Sequence, residues 1–198
     1  VEYDMPLVDQ TSVTDNSANT IAEIIRALMR HDPDVIIIGE MRDSDTVEAA
    51  LRATESGHMV ITTVHAVDAL HTLDRIDGFL TSAYRTSGLY ILGHALIASL
   101  SQRLVKTVCP ACHHEEPAGN VFDDARCSDL GLNTNEMVAL ARKGGCDLCN
   151  NTGFLGRTLA LEAMFPPEDQ ASRRAITEMM VSNVTSSVVD VPGTIYMP

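Results

Sequence analysis

The sequence contains no tryptophan, and aromatic residues make up only 4% of it. A core must therefore be built from Ile, Leu, Val, Met and Ala. At 198 residues and 45% hydrophobic composition, the chain has enough of these for one domain with a small appended lobe. Positive charge is also scarce: 14 Lys and Arg stand against 27 Asp and Glu, a formal net charge of -13. A nucleic-acid partner calls for a basic footprint, so this balance argues against one. Long apolar runs are missing. The longest, Gly88 to Leu100, carries His94 and is too short to cross a bilayer. No signal-peptide pattern is present. The chain opens on Val1 with a strand-like fragment and reads as truncated at its N-terminus.

Hydrophobic periodicity supplies the elements. Residues 1–15 read as extended and end in polar turn chemistry. Thr20 and Glu23 have capping-box spacing, and Ile21, Ile24, Ile25, Leu28 and Met29 make one apolar helix face, ended by His31, Asp32 and Pro33. Val35 to Ile38 is a β-branched run, predicted to be a buried strand of a parallel sheet. Ser44 or Asp45 is the expected cap of the next helix, and Gly57 its stop. Met59 to Val64 reads as a second buried strand, and Val67 to Leu80 and Thr86 to Thr107 as helices. This alternation predicts the α/β class. At Cys109 the composition turns polar, and a short helix is expected near Thr134 to Ala141. Arg157 to Phe165 returns to a strand pattern, Asp169 to Val181 to a helix, and 183–198 is weakly patterned. The expected divisions are thus 1–108, 109–153 and 154–198.

Three motifs carry chemistry. In Val35-Ile36-Ile37-Ile38-Gly39-Glu40, a strand delivers a carboxylate to the carboxyl edge of a sheet. Phosphates sit at that edge in open α/β folds, where a carboxylate can hold magnesium or orient water. An ordinary exposed glutamate is the competing reading. In Gly57-His58 through Val64-His65, two histidines bracket a strand, and His65 falls at its carboxyl end, where it could donate to a phosphate. A strand-end histidine bonded to a backbone carbonyl is the bland alternative for either. The third motif pairs Cys109 and Cys112 with Cys146 and Cys149, two CxxC knuckles separated by 33 residues. This spacing matches a closed tetrahedral zinc site of structural character. Cys127 lacks a CxxC partner and reads as a free thiol. His113 and His114 read as neighbours rather than ligands.

A phosphate-binding loop, G-x-x-x-x-G-K-[ST], is absent. The only lysines are Lys106 and Lys143, and neither follows a glycine.

Taken in order, these segments resemble the secretion and pilus assembly ATPases, the GspE-like and PilB-like branch of the type II/IV secretion superfamily. Asp32-Pro33-Asp34 leading into Ile37-Ile38-Gly39-Glu40-Met41-Arg42-Asp43 resembles the family's atypical Walker B, and Gly57-His58 through His65-Ala66 its His box. Gln102-Arg103-Leu104 resembles the lead into the zinc lobe, and Asn151 through Arg157 the segment that returns from it. The resemblance implies a partial RecA-like P-loop NTPase core at 1–108, a zinc-knuckle subdomain at 109–153 and a return strand with a helical region at 154–198. It implies ATP, Mg2+ and Zn2+ as ligands, a homo-hexamer, and docking on an inner-membrane platform protein from the cytoplasmic side. By the same resemblance Glu40 is the catalytic glutamate and His65 the His-box residue near the γ-phosphate. Glu2 closes an acidic box, and Arg42 and His58 are motif positions on the nucleotide side. The alternative from a different class is a zinc-ribbon binding module with no motor role. A basic partner-facing patch would favour the module; a phosphate loop upstream of Val1 would favour the motor.

Overall fold

The structure is a computed structural model that describes residues 4–13, 18–182 and 195–197. Glu2 lies outside the described residues. The chain divides into two compact units, a core unit (Val1–Ser101 with Glu162–Pro198) and a cysteine unit (Gln102–Leu161).

The core unit begins with helix α1 (Ile21–Leu28). Thr20 caps it, and the Thr20 and Glu23 side chains each accept from the other's backbone N–H, so two N-terminal donors are satisfied. One 3-10 turn ends at Asp32, whose φ of 52° breaks the helix before Pro33. Strand β1 (Val35–Ile38) follows, then helix α2 (Ser44–Glu55) and strand β2 (Met59–Thr62). The strands pair in parallel, Val35 opposite Met59 and Ile38 opposite Thr62.

The cap of α2 is Asp43, one residue earlier than expected. Its carboxylate accepts from Thr46 N at 2.8 Å and from the buried Thr46 hydroxyl at 2.9 Å. β1 is buried on one face only. Ile36 and Ile38 are 3% and 5% exposed, whereas Val35 and Ile37 are 44% and 63% exposed, with Met59 and Ile61 of β2 each at 45% beside them. The expected fully buried strands are thus half-covered among the described residues, and β2 stops two residues before Val64.

Helix α3 (His71–Asp77) is shorter than the expected Val67–Leu80. Asp68 sets its start by accepting from the backbone N–H of His71 at 2.8 Å. Helix α4 (Arg85–Ala95) ends well before Thr107, and strand β3 (Ser99–Val108) replaces its expected second half. Arg173 supplies part of the reason. Its guanidinium donates to the carbonyls of His94 and Leu96 at 2.7 and 2.9 Å, satisfying the acceptors left free at the helix end. β3 then finds its hydrogen bonds in strand β6 (Phe154–Phe165), a partner some fifty residues away in sequence.

In the cysteine unit, strand β4 (His114–Pro117) is followed by the short helices α5 (Ala118–Val121) and α6 (Asp124–Asp129) and by strand β5 (Met137–Leu140). β4 and β5 pair antiparallel, His114 opposite Leu140. The expected helix at Thr134–Ala141 is therefore a strand: cross-strand pairing overrides the helical preference of Met, Ala and Leu. Back in the core unit, helix α7 (Gln170–Val181) is capped by Asp169 and packs on α4. Gly93 of α4 permits that approach, since a Cβ there would collide with Thr177. Strand β7 (Ile195–Met197) pairs with β6, Ala163 opposite Met197; the weak sequence pattern gave no sign of it.

The core is aliphatic, as the composition required, with Ile25, Val47, Leu73, Leu89, Ile176 and Met180 fully buried. Among the described residues, no helix is long and apolar enough to cross a membrane.

Candidate functional site

Parallel pairing delivers the carboxyl ends of β1 and β2 to one edge. Two hydrogen bonds lock the exits together there: the Thr63 hydroxyl donates to the Gly39 carbonyl at 2.6 Å, and Met41 N donates to the Thr63 carbonyl at 3.0 Å. Glu40 follows Gly39 and His65 follows Thr63 by two residues, so their side chains meet. Glu40 Oε1 lies 3.0 Å from His65 Nε2, and Glu40 Oε2 lies 2.6 Å from Arg42 Nη2. Glu40 is the least exposed of the three at 21%, against 76% for Arg42 and 87% for His65. The hydrogen bond from Arg42 is the main force holding the Glu40 carboxyl below its ordinary pKa. The nearby charges of Arg42 and His65 add to that effect, while partial burial opposes it. Glu40 is thus held as an anion, able to accept from a water or to ligate a divalent cation.

These residues line a cavity of about 280 Å³ together with Met41, Arg75 and Phe79. Arg75 and Phe79 escaped the sequence reading. Their i, i+4 spacing was visible, but nothing in the sequence aimed them at Glu40. His58 stands apart, at the opposite end of β2. It closes the C-terminus of α2, its Nδ1 donating to the Ala53 carbonyl at 3.0 Å. A four-residue strand separates it from the Glu40 edge, roughly 13 Å at the usual rise. The structure therefore joins Glu40, Arg42 and His65 and leaves His58 elsewhere.

In the cysteine unit, Cys109 follows β3 directly, and its N–H donates to the Gly153 carbonyl at 2.9 Å. The second knuckle is a 3-10 turn, Asp147–Cys149, closed by Asn150 at φ 50°. Gly153 (φ 78°) must be glycine, because a Cβ would come within 2.6 Å of the Arg142 carbonyl oxygen.

The four sulfurs of Cys109, Cys112, Cys146 and Cys149 lie within 4.8 Å of one another. Neighbouring pairs are 3.8–3.9 Å apart. A tetrahedron with metal–sulfur bonds of about 2.3 Å has edges of about 3.8 Å, so the donor set fits a zinc ion. The cluster also bears the marks of thiolates. Cys149 Sγ accepts from Cys146 N and Gly153 N, each at 3.2 Å, and these bonds, with that from Cys146 first, lower its pKa to about 6. Burial, with its thiol neighbours, pushes the Cys112 thiol up to about 12. Without a cation, only part of the cluster can ionise; a divalent ion in its centre would stabilise all four thiolates. Cys127 is buried outside the cluster, its thiol facing the Phe122 carbonyl at 3.9 Å. His113 Nδ1 donates to the Cys109 carbonyl and takes no place among the four.

The family model for type II/IV secretion system proteins matches residues 1–189. Type II secretion system protein E of Dickeya dadantii is 35% identical over 80% of this chain and 29% of its own length. The type IV pilus assembly ATPase PilB of Thermus thermophilus is 38% identical over 79% of this chain and 17% of its own. Among solved structures, the pilus retraction motor PilT with bound ADP superposes with a TM-score of 0.55 at 28% identity, over 89% of this chain and 38% of that one. The chain thus spans less than a third of the length of these two curated relatives. With the family model covering most of the chain and both curated relatives above 30% identity over more than two thirds of it, the chain belongs to the type II/IV secretion system protein family.

Proposed function

We propose that the chain is the C-terminal part of a hexameric motor ATPase that couples ATP hydrolysis to pilus or pseudopilus assembly and protein secretion. The observation that carries this reading is the meeting of Glu40, Arg42 and His65 at the carboxyl edge of a parallel strand pair, the place where α/β folds hold phosphates. Glu40 orients the attacking water, and His65 stands close to the γ-phosphate. Glu2 closes an acidic box on the same nucleotide. Magnesium, when bound, neutralises developing charge on the phosphates. Cys109, Cys112, Cys146 and Cys149 hold a structural zinc with no open position for substrate.

The phosphate loop belongs to a preceding part of the parent polypeptide. The uncovered apolar face of β1 and β2 supports this, because parallel strands are ordinarily covered on both faces. The parent works in the cytoplasm, peripheral to the inner membrane and docked on a platform protein there. A zinc-binding module with no motor role would have no use for the Glu40 cluster.

The test is Glu40→Gln in the intact parent. Turnover should fall by about a hundredfold or more while ATP binding is retained, since the change keeps the size of the side chain and removes its charge. Near-normal turnover would remove Glu40 from the mechanism.

A further inference from the structure

The two residues that flank Glu40 are both held by Thr63. The Gly39 carbonyl accepts from the Thr63 hydroxyl at 2.6 Å, and the Met41 N–H donates to the Thr63 carbonyl at 3.0 Å. The paired register of β1 and β2 ends at Ile38 opposite Thr62. Beyond that point Thr63 holds the strand exits together, with its side chain as well as its backbone. The hydroxyl is the part that a strand alone does not require. Valine has the same branched shape and the same strand preference, but it cannot donate to Gly39.

The bond from the hydroxyl is also poorly placed to hold up the fold. Thr63 and Gly39 are both exposed, so water could satisfy the Gly39 carbonyl in its place, and an exchange of that kind changes stability little. Water cannot replace the tether. Glu40 lies between the two bonds, and His65 lies two residues beyond Thr63, so only a short stretch of backbone separates the tether from either side chain. The 3.0 Å separation of Glu40 Oε1 and His65 Nε2 is set across it.

Resting on the ATPase reading above, we propose that Thr63 is a positioning residue for hydrolysis, its hydroxyl fixing the backbone on either side of Glu40 so that the carboxylate and His65 stay aligned. It touches neither nucleotide nor water. Its effect is on the distance between two groups that act together, where a shift of about 1 Å is enough to slow a reaction severely.

The experiment is steady-state ATP hydrolysis by the intact parent, with hydrogen exchange on the same preparations. Thr63→Val should lower kcat about tenfold and leave KM within about twofold, because a misaligned pair slows the step without removing a nucleotide contact. Thr63→Ser keeps the hydroxyl and should recover most of the loss. In a His65→Ala background, Thr63→Val should cost no more than about twofold further, since one member of the aligned pair is already gone. Exchange of the Met41 amide should quicken several-fold in Thr63→Val while the α2 amides stay protected. Wild-type kcat in Thr63→Val, a Thr63→Ser as slow as Thr63→Val, the full loss repeated in the His65→Ala background, or lost protection across α2 would each overturn the proposal. The two readings fail separately. Faster Met41 exchange in Thr63→Val of a parent that does not hydrolyse ATP would keep the tether and sink the motor; equal turnover by wild type and Thr63→Val would keep the motor and sink the positioning role.

Discussion

The two units solve the same problem in different ways. The core unit buries its helices on an aliphatic cluster yet leaves one face of its parallel strands open, with Ile37 63% exposed. The cysteine unit has almost no apolar interior of its own; its tightest packing is the sulfur cluster, where Cys109 is wholly buried and Cys149 is 4% exposed. A small lobe that cannot bury enough surface needs a cross-link, and the four clustered sulfurs are a donor set that fits one. A RecA-type core needs more strands, not a metal. The contrast teaches that order in the lobe is gathered at four sulfurs, whereas order in the core unit rests on an aliphatic cluster beside an exposed strand face.

The largest expected effect breaks the lobe alone. Replacing any of Cys109, Cys112, Cys146 or Cys149 with Ser should release one zinc per chain and loosen residues 109–153, because metal binding supplies folding free energy on the order of 10 kcal/mol in small zinc modules. The core unit should keep its protected amides in hydrogen exchange. Cys127→Ser should do neither, since its sulfur lies outside the cluster. Unchanged zinc content in Cys146→Ser, or loss of zinc in Cys127→Ser, would contradict the assignment.

The next effect belongs to the core unit. The open face of Val35, Ile37, Met59 and Ile61 should drive the 198-residue chain to self-associate at micromolar concentration. Ile37→Thr with Ile61→Thr should shift it toward monomer in analytical ultracentrifugation without loss of helical circular dichroism. The proposed function has this face covered in the parent, so the same pair should destabilise the parent. Destabilisation of the isolated chain instead would mean that the face is already packed.

Smaller effects sharpen the local account. Asp43→Ala removes the α2 cap and leaves the buried Thr46 hydroxyl without its acceptor, a loss of about 1–2 kcal/mol in denaturant melts. The cap of α7 titrates. The Asp169 carboxyl is held below its ordinary value, chiefly by the N–H of Ser172. Its contribution is therefore present above the unfolded pKa of about 3.9 and disappears as pH falls through the lower folded value. Asp169→Asn should flatten the acid end of the stability curve and change little at neutral pH.

Those elements that the sequence revealed are the ones specified by local chemistry. The Thr20–Glu23 box, the Val35–Ile38 run and the paired CxxC knuckles each carry their signal within a few residues, and the site motifs Glu40 and His65 ride on strand ends. What escaped depends on partners far along the chain. Ser99–Val108 continues a helix-like apolar pattern, and only its pairing with Phe154–Phe165 makes it a strand. Met137–Leu140 is built of helix formers and is a strand because His114–Pro117 lies beside it. The open face of β1 was invisible because a β-branched run reads as buried on both sides whichever neighbours are present. Arg75 gave no signal, since its place beside Glu40 follows from how α3 packs and not from its own neighbours in sequence.

The most direct measurement is magnesium-dependent ATP hydrolysis, assayed side by side on the intact parent and on this 198-residue chain. Electrostatic stabilisation of the transferring phosphoryl group dominates this chemistry, and the chain lacks the loop that would supply most of it. The account predicts turnover by the parent and none above background by the chain alone. Robust hydrolysis by the isolated chain, or none by the parent, would contradict it.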